Sequence, residues 1–238
     1  MPAQGGKFSL RVVATAAIHT RALTTDRGTT MHATATATPS RPIVRRIDAR
    51  WRVVDIVVAS VLGVASALVF FAWNQIYAPV TAPLEALLPG SQALMYGIWL
   101  FAGVLGGLVI RKPGAALFTE LVAAVVSTLL GAQWGGFLTI EAGLVQGLGA
   151  ELIFLLFLYH RWNVVVAMLA GAAAGLAMAI NDIIGYYLAS GSAFQAIYTV
   201  SGILSGAVIA GLGSWFIVRG LARTGALSRF ASGRLSAR

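Results

Sequence analysis

The chain contains no cysteine, three histidines and few charges. Without cysteine there can be no disulfide framework and no thiolate metal site. His19, His32 and His160 lie far apart, so a histidine-based metal centre is not expected either, and no cofactor is implied. No GxxxxGK[ST] stretch occurs, so the chain does not carry its own phosphate loop for ATP. No metal-ligand spacing, Ser–Lys pair or aspartyl dyad supports an intramembrane enzyme. Charged residues make up only 11% of the 238 residues and hydrophobic residues 58%. A soluble domain is nearer a quarter charged, so this composition belongs in a bilayer.

Residues 1–50 differ from the rest. "RALTTDRGTTMHATATATPSRP" is rich in Thr, Ala and Arg with no apolar period, and reads as a disordered tail. "LRVVATAAI" within it is a weak signal-peptide core, and Met31 is a possible alternative start. Six apolar stretches follow: Val53–Trp73, Ala93–Ile110, Ala115–Ala132, Ala142–Tyr159, Val164–Tyr187 and Ala196–Val218. Each is long enough to cross a hydrocarbon core of about 30 Å, and none has the charged outer face of a soluble amphipathic helix. The expected fold is an all-α integral membrane protein, a six-transmembrane-helix bundle over 51–220 with a basic tail over 221–238. The net charge of +9 is distributed topologically. All 17 Lys and Arg fall before helix 1, between helices 2 and 3, between helices 4 and 5, or after helix 6. Both termini are therefore expected to be cytoplasmic, in a cell membrane, and a nucleic-acid partner is not. The outer 1–2 segment, "NQIYAPVTAPLEALLPGSQ", is expected to be a long loop, either a lid or an ordinary surface connection.

Small residues recur at four-residue spacing: Ala59, Gly63 and Ala67; Gly103 and Gly107; Gly143 and Gly147; Gly171, Gly175 and Ala179; Gly202, Gly206 and Ala210. Such rows let membrane helices approach closely or dock a partner helix. The acidic residues continue these rows. Glu151 follows Gly143 and Gly147, Asp182 follows Gly175 and Ala179, and Glu120 lies with Ala116, Ala124 and Ser127. A carboxylate inside the membrane is costly and marks a ligand, ion or proton site unless it is bonded within the fold. Glu120 has no Lys or Arg within seven positions. A protonated glutamic acid on a backbone carbonyl is the structural alternative for it and for Glu151. Asp55, at the start of helix 1, is explained by capping or by partner docking along its row. The outer half combines aromatic and amide groups: Asn74, Tyr96, Trp99, Gln133, Trp134, Gln146, Tyr186 and Tyr187. Some belong to an interfacial belt. Together with Glu120, Glu151 and Asp182 they suit a flat, cationic, nitrogen-containing ligand.

The runs "RVVDIVVASVLGVASALVFFAWN", "PLEALLPG", "IRKPGAALFTELVAAVVSTLLGAQWG", "GLVQGLGAELIF" and "VSGILSGAVIAGLGSWFIVRGLARTGALSRFASGR" resemble the YkoE-type S components of energy-coupling factor (ECF) transporters. The resemblance covers about residues 51–234. It implies a substrate-binding membrane subunit for thiamine or its precursor hydroxymethylpyrimidine. It also implies a transmembrane T component and two cytoplasmic ATPases as partners, the T component docking on the helix 1 row Ala59, Gly63 and Ala67. Substrate contacts are expected from Glu120, Glu151, Gln146, Trp99, Tyr96, Trp134, Asp182 and Asn74. The competing reading is a proton-coupled secondary transporter with Glu120 and Glu151 as proton carriers.

Overall fold

The computed structural model describes residues 49–132 and 134–234. The readings of a signal core, an alternative start and a disordered tail lie outside these residues, apart from 49 and 50, as does Gln133. The described residues are helical throughout, with no strand. Helix α1 is Val53–Leu87, α2 is Gly97–Ile110 after a 3₁₀ turn over Ser91–Met95, α3 is Ala115–Leu129, α4 is Gly136–Leu156 and α5 is Val164–Gly185. Helix α6 runs Ser192–Arg223 and contains a π-helical stretch over Gly206–Leu212, and a short α7 covers Ala231–Arg234. Among the described residues, five helical segments are long and apolar enough to cross a membrane: Val53–Leu87, Ser91–Ile110, Gly136–Leu156, Val164–Gly185 and Ser192–Arg223. The 15-residue α3 is shorter, about 22 Å at 1.5 Å per residue.

Helix α2 is the axis of the bundle, packed against α1, α3, α4, α5 and α6. Its residues from Ala102 to Ile110 are all buried, which is why it is apolar on every face. Neighbours reach it because it carries glycine. A Cβ on Gly106 would overlap the Thr119 side chain, and one on Gly107 the Phe154 ring. Helices α5 and α6 touch backbone to backbone, Gly171 on Gly206 and Gly175 on Gly202. One row of buried residues on α6 recurs every fourth position, Tyr198, Gly202, Gly206, Ala210, Ser214 and Val218, with Ser201, Ser205 and Gly211 buried beside it. In a regular α-helix four residues overshoot a turn by about 40°, so such a row would wind away from α5. The wider turns of the π stretch keep it facing inward.

Helix 1 corrects two expectations. The long outer loop is not a loop, because α1 continues through Pro79 and Pro83 to Leu87. Both prolines lie on its exposed side, where the missing N–H costs least, and the Thr81 hydroxyl bonds the Tyr77 carbonyl at 2.9 Å. The chain then turns at Gly90, which has φ +100° and lies so close to α6 that a Cβ would stand 2.9 Å from the Phe194 carbonyl oxygen. Ser91 Oγ caps the helix end at Leu84 O, 2.8 Å away. The second correction concerns Ala59, Gly63 and Ala67. This row is buried inside the molecule and meets α3, where a Gly63 Cβ would lie 2.7 Å from Val122 Cγ1 and 2.9 Å from Thr119 O. Gly63→Leu is therefore expected to lower the melting temperature of the isolated chain, at the overpacking cost of about 1–3 kcal/mol or more. An unchanged melting curve with failed partner assembly would return this row to the outer surface.

At the basic end of the bundle the fold is locked by polar contacts. Asp55 is fully buried. It accepts the Arg52 backbone N–H at 2.8 Å, which makes it a cap, and pairs with Arg52 at 2.8 Å and Lys112 at 2.6 Å. Lys112 also donates to Arg50 O at 2.6 Å. After α6 the chain folds back rather than trailing away. Leu227 and Phe230 join the core, and Ser232 Oγ bonds Val109 O at 3.0 Å. That contact satisfies one of the carbonyls left open where α2 ends.

Candidate functional site

At the opposite end of the bundle helices α1 to α6 surround a cavity of about 190 Å³. Helix α1 contributes Asn74, α2 and the turn before it Trp99 and Tyr96, α3 Glu120, α4 Gln146, α5 Asp182 and α6 Tyr198. Trp134 approaches from the α3–α4 connection. Among the described residues, no Lys or Arg lines the cavity. Seven of the eight residues expected to touch a substrate therefore come together here.

The aromatic rings form a connected wall. Trp99 meets Tyr96 at 5.2 Å and Trp134 at 6.1 Å, both edge to face. Tyr96 continues to Tyr198 at 6.0 Å, and Tyr198 to Tyr187 at 5.2 Å. Asn74 fixes one member, because its Oδ1 accepts Trp99 Nε1–H at 2.9 Å. Tyr187, just past α5, has its hydroxyl pushed above the ordinary tyrosine value by burial first and then by Asp182, Glu85 and Tyr77.

Glu120 forms part of the polar lining and is 1% exposed. Three glycines make room for it. A Cβ on Gly103 would lie 3.1 Å from Glu120 Oε2, one on Gly147 3.0 Å from Glu120 Cβ, and one on Gly143 3.5 Å from Glu120 O. Oε2 accepts the Gly103 N–H at 2.5 Å. The contact is to a backbone donor, which a carboxylate and a protonated acid both accept.

Glu151 is the exception among the expected residues. It lies away from the cavity, at the first turn of α3. Its carboxylate accepts backbone N–H groups of Gly114 at 2.7 Å and Ala116 at 2.9 Å, and the Tyr159 hydroxyl at 2.5 Å. It caps the N-terminus of α3, where open amides and the helix dipole favour an anion. The row Gly143–Gly147–Glu151 does face α3, but α4 runs antiparallel to α3. Gly147 lies at Glu120 and Leu117, so Glu151, about 6 Å further along at 1.5 Å per residue, reaches Gly114.

Sequence reasoning missed Tyr198, Asn181 and Ser127 as cavity residues. Tyr198 was visible in principle, because it heads the Gly202–Gly206–Ala210 row of α6, but that row was read only for its small residues. Asn181, adjacent to Asp182, donates to Glu141 Oε2 at 3.2 Å and so joins α5 to α4.

Three comparisons bear on this geometry. Residues 54–177 match the family described as the permease component of an ABC-type cobalt transport system. The chain is 37% identical over 185 residues to a Bacillus subtilis (strain 168) protein named as an HMP/thiamine permease, YkoE, covering 77% of this chain and 91% of that one. A crystal structure of an S component of an ECF transporter superposes with a TM-score of 0.70 at 36% identity, covering 78% of this chain and 92% of that chain. The chain belongs to the S components of ECF transporters. An S component is the substrate-binding, multi-pass membrane subunit of an importer. Its relatives are transport proteins rather than enzymes, and an S component works with a T component and ATPase subunits. The cavity lies opposite the basic end, away from the Asp55–Lys112 lock.

Proposed function

We propose that this S component binds thiamine or hydroxymethylpyrimidine in the cavity walled by Tyr96, Trp99 and Trp134 and floored by Glu120. The observation that carries the reading is an aromatic chamber holding two carboxylates, Glu120 and Asp182, with no basic residue among the described residues of its lining. Aromatic faces stack on heteroaromatic rings and attract cations, and a buried carboxylate accepts from a ring amino group. An apolar cavity of about 150 Å³ accommodates benzene, so the 190 Å³ here suits one substituted ring, with a second ring extending toward Tyr186 and Tyr187. The name of the Bacillus relative points to the same ligands. Isothermal titration of the purified chain with both compounds tests this directly, and binding of neither would sink it. The reading also requires uptake in reconstituted vesicles to depend on ATP and the partner subunits. Uptake driven by a proton gradient alone would favour the secondary-transporter alternative.

The same reading takes α3 as a sixth crossing and places both termini in the cytoplasm. It is supported by the basic residues: Arg52, Arg111, Lys112 and Arg161 border one end of the helices, and the cavity opens at the other. Single cysteines in this naturally cysteine-free chain give a clean topology test. Positions 190 and 134 are expected to react with an impermeant maleimide from outside, and position 161 only after permeabilisation. External labelling at 161 would reverse the orientation.

A further inference from the structure

The two cavity carboxylates are held in different ways and at different places. Glu120 is enclosed by α2, α3 and α4, with a backbone N–H on one oxygen. Asp182 sits on the outer end of α5, where its Oδ2 accepts the Tyr198 hydroxyl at 2.6 Å. Tyr198 is 1% exposed. Its ring is stacked on Phe194 at 5.8 Å and 20°, and Tyr96 and Tyr187 pack against it from two other directions. The hydroxyl therefore has little freedom, and neither does the carboxylate it holds.

The surroundings of Asp182 are negative. Burial, Asp182 and Glu141, in that order, push the hydroxyl of the adjacent Tyr186 above its ordinary value. The charge of Glu85 on α1 adds to the upward push on the Tyr187 hydroxyl, after burial and Asp182. Among the described residues, no Lys or Arg lines the cavity to neutralise this end. One region thus offers a fixed carboxylate beside tyrosine faces, an arrangement that stabilises a permanent cation. The region around Glu120 offers one enclosed acceptor, suited to a neutral ring bearing an amino donor.

We propose that Asp182, positioned by Tyr198, reads the cationic ring of the ligand, whereas Glu120 reads the aminopyrimidine ring. Asp182 is then the residue that distinguishes thiamine from its neutral precursor. The assignment rests on the thiamine or hydroxymethylpyrimidine reading above and adds which side chain recognises which half. Aminopyrimidine recognition is common to both ligands, but only thiamine carries the thiazolium charge. Losing the Asp182 charge should therefore affect one ligand and spare the other.

The test is titration of the full-length purified chain with thiamine and with hydroxymethylpyrimidine, for wild type, Asp182→Asn and Tyr198→Phe. Asp182→Asn is expected to weaken thiamine by about tenfold or more and hydroxymethylpyrimidine by less than about threefold. Tyr198→Phe keeps the charge but frees the carboxylate, and is expected to weaken thiamine by about three- to tenfold with the pyrimidine unchanged. Equal losses for both ligands, or none for either, would overturn the assignment. If Asp182→Asn loses its melting transition, Tyr198→Phe alone decides by the same ratio. A wild-type chain that binds neither ligand would refute the ligand reading itself, a result distinct from wild-type binding without selectivity in the variants.

Discussion

Glu120→Gln is expected to weaken thiamine and hydroxymethylpyrimidine alike by about 30-fold or more, the equivalent of about 2–5 kcal/mol for truncating a buried charged hydrogen bond. Glutamine has nearly the same shape, and its side-chain carbonyl can still accept the Gly103 N–H that Oε2 now takes. The glycines that surround the side chain are untouched, so the fold should persist. What changes is the charge presented to the ligand. Glu151→Gln provides the contrast. Its carboxylate is engaged by the first amides of α3 and by Tyr159, so ligand affinity should move by less than about threefold while the melting temperature falls, in line with loss of a helix cap. Titration and melting curves on the two variants separate the roles. Unchanged affinity for both ligands in Glu120→Gln would remove Glu120 from the site.

Asp55→Ala is expected to produce the largest loss of stability. Asp55 is fully buried and Lys112 nearly so. Removing one member of a buried pair leaves the other charge uncompensated, at a cost of about 3–5 kcal/mol. Here it would leave the Lys112 ammonium without its carboxylate and remove the acceptor that caps the Arg52 N–H. The double variant Asp55→Ala with Lys112→Met should recover much of the loss, because an apolar pair avoids the desolvation cost. Detergent-phase melting of both variants checks this, and a double variant no more stable than the single one would mean that capping, not the pair, holds this end.

Much of this molecule was legible in the sequence because membrane helices are written in composition and period. The placement of every Lys and Arg defined a basic end, and the small-residue rows marked the faces on which helices meet. Those faces placed Glu120 and Asp182 inward, where the cavity is found, and Gln146 came from the amide-rich outer half. The aromatic residues Tyr96, Trp99 and Trp134 were identifiable by the same reasoning, although an interfacial belt would have used the same residue types. Reading α1 as ending at Trp73 failed because Pro79 and Pro83 look like loop residues locally. They are accommodated on an exposed side of the helix.

The sequence by itself determined a helical membrane protein, the basic end and the inward faces. Period and hydropathy depend only on residues adjacent along the chain, so these properties need no knowledge of neighbours. The tertiary structure decided which inward residues meet which. Glu151 and Glu120 share one interface, but the antiparallel passage of α4 past α3 puts one on the α3 amides and the other in the cavity. Ala59, Gly63 and Ala67 form a small-residue row whether a partner or α3 covers it, and packing against Val122 and Thr119 chose α3. Tyr198 came to hold Asp182 only because the glycines of α5 and α6 let two backbones touch. A row of small residues specifies close approach, but the identity of what approaches is fixed by how six helices fill one volume.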